Sequence, residues 1–371
     1  SIMATVTKSI GTSSRDYSTI AAWEADLDSS SIYSSGDDAI GELYNDSVFV
    51  EDIDVDGGGT IGLDSITLTS SSAEGDRHNG NKGTGATIRR NSASRHLVQF
   101  DGNATVDTMT FSWIEFDGDD DTVSNGNDKQ MFKCTGATEL YIQNNLIHSF
   151  GAGQDSSNNY TFLLEGNKNV FTNNFVFNIH GGEGHSWYVF HGNSSTAREQ
   201  LIYNNTFYDI DKQTVSTNQE MFAYMDTHAN SRIRNNIILD DNLGKIAGAG
   251  TKDSSAVNSH LCYDAASVTD FTNIVEETHT NAFSSSIKSD PNLHLKSIST
   301  CIDEGVDLGT TPTNVEIDID GRDRDAKGDT WDLGADEYAP ASITGKRDGF
   351  LKPNYSSRIG FILLDPSSEI I

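Results

Sequence analysis

Proline is scarce in this chain, five residues in 371, and cysteine scarcer still at three. So little proline excludes a collagen-like rod, and an apolar share of 35% excludes a chain too polar to fold. Cys134, Cys262 and Cys301 are odd in number and far apart. That pattern is neither a disulfide framework nor a zinc motif, so buried free thiols are expected. Basic residues are also in deficit: 25 against 55 acidic ones leave a formal charge of −30. A surface of that sign repels nucleic acid and anionic membranes and attracts cations. No apolar run approaches membrane-spanning length, so no membrane insertion is expected. No basic-then-apolar leader opens the sequence, and Met3 is read as the native start, with Ser1 and Ile2 from an upstream sequence.

What is present is a repeat. YIQNNLIHSF (141–150), FTNNFVFNI (171–179), IYNNTFYDI (202–210) and IRNNIILDD (233–241) each set a pair of asparagines inside an apolar strand. The pairs are Asn144 and Asn145, Asn173 and Asn174, Asn204 and Asn205, and Asn235 and Asn236, at spacings of 29, 31 and 31 residues. A near-fixed period of this length marks stacked supersecondary units. TFSWIEF (110–116) occupies the same column without asparagines, and AVNSHLCYD (256–264) reads as a degenerate later copy.

A second column precedes the first: HLVQFDG, KQMFKCTG, TFLLEG, WYVFHG and MFAYMD. Aligned on their last residues, these segments place Val98, Phe132, Phe162, Tyr188 and Phe222 in one inward row. Each turn therefore holds at least two strands, and strands of successive turns can pair only in parallel. The expected fold is all-β: a parallel β-helix over residues 41–338, after an N-terminal strand and capping helix in 1–40 and before a C-terminal arm in 339–371. Like side chains then lie over like. One asparagine of each pair would form a hydrogen-bonded ladder, while the left-handed backbone of a sharp bend also suits asparagine. Which member does which stays open. Ile142, Phe171, Ile202 and Ile233, then Ile147, Val176, Phe207 and Ile238, would fill the bore. DYSTIAAWEADL (16–27) spaces Ile20, Trp23 and Leu27 as a short amphipathic helix over the first turn.

The NN-containing strands resemble right-handed, single-stranded parallel β-helices of the pectin-lyase-like kind, across roughly residues 98–263. SDPNLHLKSISTCIDEG (289–305) with DIDGRDRDAKGDTWDLGADEY (318–338) resembles the closing segment of phage-encoded and bacterial surface β-helix proteins. That resemblance implies a final coil and cap, with Asp332, Gly334 and Glu337 in structural positions. The opening segment (5–27) is similar to the start of such phage and environmental proteins.

For chemistry, the outward residues before each terminus of the second column are Asp101, Thr135, Glu165 and His191. Asp101, Glu165 and His191 on one ledge would suit sugar hydroxyls or an acid/base pair, and Trp187, Tyr188 and Tyr203 could stack on sugar rings. No nucleophile or arginine is placed with them by spacing, so no catalytic residue is assigned. DGDDD (117–121) reads as a solvated turn, and GGEGH, following no phosphate-loop pattern, as a flexible one. DIDGRDRD (318–325) brings carboxylates close without EF-hand spacing; Ca2+ is the one ion considered, and no metal ligand or cofactor is assigned. After residue 340 the charge changes, with four basic residues against three acidic. Phe350, Leu351, Tyr355, Phe361, Ile362 and Leu363 make this arm apolar enough to dock on a partner. The expected function is a non-catalytic structural protein at a virion surface, a capsid decoration or tail appendage that contacts other virion proteins and glycans. A homo-oligomer is compatible with such a body. The alternatives are a polysaccharide lyase or glycoside hydrolase, and an extracellular bacterial adhesin.

Overall fold

A computed structural model describes residues 4–340, apart from 74, 93–94, 101–105, 121–129, 136–137, 152–158, 182–186, 193–197, 213–218, 224–230, 242, 244, 248–257, 265–270 and 328–329. The chain divides into Ser1–Ala339 and Pro340–Ile371. The arm residues Phe350, Leu351, Tyr355, Phe361, Ile362 and Leu363 lie outside the described residues, as do Asp101 and all of GGEGH after Gly181, which ends the strand Phe175–Gly181.

The described body is a parallel β-helix. Six successive turns carry three strands each and begin at Asp38–Leu43, Ser65–Ser70, Thr108–Ser112, Glu139–Gln143, Lys168–Thr172 and Glu199–Tyr203. These first strands stack in parallel as one wall of the solenoid, and the second and third strands of each turn stack as two more. In the following turn the strand Arg232–Asp241 runs through the bend and joins the first wall to the second. Register is kept along the axis. Ile142 lies against Phe171, Phe171 against Ile202 and Ile202 against Ile233. On the second wall Ile147, Val176, Phe207 and Ile238 follow one another in the same way. All eight are buried.

The two asparagines of each pair divide the work. Asn144, Asn173, Asn204 and Asn235 take φ of 55°, 57°, 53° and 56°, the left-handed geometry that turns the chain from first wall to second. Asn145, Asn174, Asn205 and Asn236 point inward and form the ladder. Asn145 donates from N and Nδ2 to Asn174 Oδ1 at 2.9 and 3.1 Å. Asn174 does the same to Asn205 Oδ1, both at 3.0 Å. Asn205 repeats it on Asn236 Oδ1 at 2.9 and 3.1 Å. Each Nδ2 also donates to a backbone carbonyl of the preceding turn, as Asn174 does to Ile142 at 2.9 Å. Burial is tolerated because each amide satisfies its neighbours. In the asparagine-free turn Trp113 takes the left-handed bend at φ 62°, and Ile114 N donates to Asn145 Oδ1 at 3.0 Å.

A second left-handed column was not anticipated. Asp119, Ser149, Asn178, Asp209 and Asp240 bend the second wall at φ of 54° to 56°. Four of these stand five positions after an asparagine pair begins (NNLIHS, NNFVFN, NNTFYD, NNIILD), a signal present in the sequence.

Several expectations change. The N-terminal helix is only Ile20–Glu24, begun by Thr19 Oγ1 accepting from Ala22 N, yet Ile20, Trp23 and Leu27 are buried as expected. DGDDD is not a solvated turn: Glu115–Asp120 is a strand, and Asp117 is buried against Arg89 at 2.9 Å. The cysteines are not all free thiols, since Cys262 is disulfide-bonded to Cys301 and only Cys134 is free and buried. A strand residue and a turn residue 39 positions apart are brought together by the closing segment, which spacing cannot reveal.

The closing segment also departs from the final coil that the resemblance implied. It lies lengthwise along the outside, over the bend between first and second walls. Asn235 Nδ2 donates to Val306 O at 2.7 Å, Asn204 Nδ2 to Val315 O at 3.0 Å and Asn144 Nδ2 to Asp318 O at 2.8 Å. The segment thus runs back from the late turns toward the early ones, read off by the outward row of bend asparagines. Leu146, Phe175, Tyr208 and Ile237 on the outer second wall pack with its Phe283, Leu293, Leu295 and Leu333. That is why these strands read as continuously apolar instead of alternating. Asp332, Gly334 and Glu337 are structural, as expected. Asp332 Oδ1 accepts from Asp303 N at 2.8 Å, and Glu337 Oε2 takes Asp332 N at 3.0 Å and Arg324 Nη1 at 3.1 Å. Gly334, at φ 88°, leaves no room for a Cβ, which would fall 2.6 Å from Thr206 Oγ1.

Candidate glycan-contacting face

The third wall carries the ledge predicted from the glycine column. Its strands include Phe132–Thr135, Asn159–Glu165, Trp187–His191 and Gln219–Ala223. Their inward side chains stack through the bore: ring centroids of Phe132 and Phe162 lie 5.8 Å apart, Phe162 and Phe190 4.7 Å, and Phe190 and Phe222 5.6 Å. Phe190 holds the place expected of Tyr188. Tyr188 registers with Tyr160, two residues before Phe162. Aligning the segments on their terminal glycines misplaced one strand by two positions, because the turns after the strands differ in length.

The same shift separates the ledge residues. Thr135 registers with Glu165, but His191 registers with Leu163. Glu165 and His191 therefore share the outer face without facing each other across a single row. Glu165 is ion-paired with Arg198, whose Nη1 stands 3.6 Å from Oε2. An arginine does accompany the ledge, contrary to the spacing argument. Burial pushes the His191 imidazole down to about 4 despite the opposing pull of Glu165, so it is neutral at physiological pH.

Around His191 the face is aromatic. Tyr160 and Tyr188 stack with centroids 5.9 Å apart and planes at 18°. His191 lies 4.1 Å from the Tyr160 ring and 5.9 Å from that of Tyr188. Tyr188 is 5% exposed, so Tyr160 and His191, both half-buried, are the members presented outward. Of the other rings considered for sugar stacking, Trp187 is wholly buried and donates to Thr161 Oγ1 at 3.1 Å. Tyr203 is buried in a cluster with Val315 and Trp331 under the closing segment. Neither offers a face to a ligand.

The wall thus sets a ring pair, a neutral imidazole and an Arg-paired carboxylate on one surface. Rings supply flat apolar area for a sugar, and imidazole, carboxylate and guanidinium supply donors and acceptors for hydroxyls. Glu165 and His191, singled out from the sequence, lie on this outer face, and Tyr160 and Arg198, not singled out, lie beside them. Tyr160 follows a stretch of polar residues, and only register brings it beside His191.

A second polar group lies in the closing segment. Asp318 Oδ1 accepts from Asp320 N and Arg322 N at 2.9 and 2.7 Å. Burial, then the neighbouring Asp336, pushes its carboxyl up to about 7. A third is wholly enclosed: His148 Nε2 lies 3.0 Å from Glu115 Oε1, neither atom's residue reaching solvent. Comparison with protein-family models, curated proteins and solved structures finds no match to this chain.

Proposed function

We propose that this chain is a structural surface protein, a rigid β-helical component of a virus particle such as a capsid decoration or tail appendage, that touches glycans through its third wall. The observation that carries the structural part is the double lock on the solenoid. An amide ladder ties the turns from inside, and the bend asparagines clamp a lengthwise strap outside. A body so constrained suits bracing or projection. The disulfide between Cys262 and Cys301 favours a particle that meets an oxidising medium. For the glycan part the support is the Tyr160, Tyr188 and His191 group. Pairing of Glu165 with Arg198 favours binding over acid/base chemistry there. With a charge of −30, neutral glycans are better partners than polyanions.

The test has two arms. Purified particles are assayed for this chain and its copy number; particles that lack it sink the virion reading. Separately, the protein is screened against neutral and acidic polysaccharides for binding and for new reducing or unsaturated ends. Binding of a neutral glycan, weakened about tenfold by Tyr160→Ala, is expected, a loss of about 1.4 kcal/mol. Depolymerisation abolished by Glu165→Gln would make the protein a lyase or hydrolase instead.

A further inference from the structure

Three side chains from two parts of the closing segment converge on one point: His294 on the strand Asn292–Leu295, Asp320 in the turn after Ile319, and Asp336 near the end. One donor atom from each lies within 4.8 Å of the others. Each residue spends its other polar atom on the protein. His294 Nδ1 is 2.6 Å from Asn292 Oδ1, an oxygen that can only accept, so Nδ1 carries a proton and Nε2 faces inward. Asp320 gives Oδ2 to the Arg322 guanidinium and turns Oδ1 to His294 Nε2 at 3.1 Å. Asp336 gives Oδ2 to Leu295 N at 2.7 Å.

Asp336 Oδ1 is the telling atom. It is buried, in a residue 3% exposed, and no hydrogen bond reaches it. The nearest cation, Arg322 Nη1, is 3.6 Å away and is also 3.6 Å from Asp318 Oδ2. One guanidinium therefore serves three carboxylates, Asp318, Asp320 and Asp336, while Arg324 is paired with Glu337. A buried acceptor left without a donor is costly, and a dication would satisfy it.

We propose that His294, Asp320 and Asp336 bind a divalent transition-metal cation that pins the strand carrying His294 to the two closing turns. One imidazole with two carboxylates suits zinc-like ions better than calcium, which prefers an all-oxygen shell. Asn292 holds the ligating ring by its far nitrogen, the usual outer support of a metal-bound histidine. The position is structural: it ties segments together and lies apart from the third wall, so it stands or falls independently of the glycan reading.

The test uses Zn2+ on the full chain after stripping with a chelator. Titration calorimetry and native mass spectrometry are expected to give one tight equivalent that millimolar Ca2+ does not displace. Asn292→Ala should weaken it about 10- to 100-fold, and His294→Gln or Asp336→Asn should remove it. Zn2+ binding unchanged in all three variants overturns the proposal, as does the absence of a tight equivalent in the wild type. Should the variants misfold, Co2+ added to the wild-type chain gives a readout without mutation. Visible bands of a low-coordinate N/O site support the assignment, and a spectrum identical to aqueous Co2+ overturns it.

Discussion

Adjacent asparagines in one strand meet opposite demands. Asn173 must adopt a positive φ and face outward; Asn174 must sit buried in a column of its own kind. Their substitution should therefore differ in cost. Asn174→Ala removes the acceptor of Asn145 N and the amide that donates to Asn205 Oδ1 and to the Ile142 carbonyl, with each unsatisfied buried group costing about 1–3 kcal/mol. A loss of at least about 3 kcal/mol is expected by urea unfolding. Asn173→Gly keeps the bend and loses the strap contacts to Asn314, Val315 and Arg324, so about 1–2 kcal/mol is expected. Equal costs at the two positions would contradict this division. The column itself was legible because period and residue type coincide; the roles within a pair were not, since both suit asparagine.

At the scale of the element, the closing segment is held by a charge pair that water does not reach. Arg324 and Glu337 are 0% and 1% exposed and 3.1 Å apart, and Arg324 Nη2 also donates to Gly334 O at 2.8 Å. Truncating one partner leaves the other charge buried. Arg324→Leu is expected to cost about 3–5 kcal/mol, and the double change Arg324→Leu with Glu337→Leu substantially less, because no lone charge remains. A double-mutant cycle followed by circular dichroism checks this; additive losses would contradict it. The motif's glycines and acids could be read as structural from the sequence. That they run along the flank instead of closing the end could not, because the bend asparagines that hold the strap lie 71 to 174 residues earlier, as Asn235 does from Val306 and Asn144 from Asp318.

For the molecule as a whole, the late strand Ser259–Tyr263 is tied to the strap by Cys262 and Cys301, 39 residues apart. Closing a loop of that length restricts the unfolded chain, and reduction is expected to lower stability by about 4 kcal/mol. Thermal melts with and without reductant measure it, with Cys134 providing no alternative bridge because it is buried inside the third wall. An unchanged melting temperature would mean that the bond contributes nothing beyond the packing around it. Stability is nearest-neighbour within such a solenoid, so a cross-link to the strap acts on turns that the ladder alone would couple only in series.

The asparagine period, the alternation of bore residues and the scarcity of breakers were enough to fix parallel stacking, since each is a local pattern repeated in register. Tertiary structure alone decided where the strap lies, which cysteines pair, and which residues share the third wall with His191. Those depend on loop lengths and on contacts between distant segments, and no periodicity encodes either. Asp101, the remaining member of the predicted ledge, and residues 341–371 of the arm lie outside the described residues. His294 and Asp336 are 42 positions apart in a chain where their types are common. Only folding back along the flank makes neighbours of them, because the bend asparagines hold the strap in place.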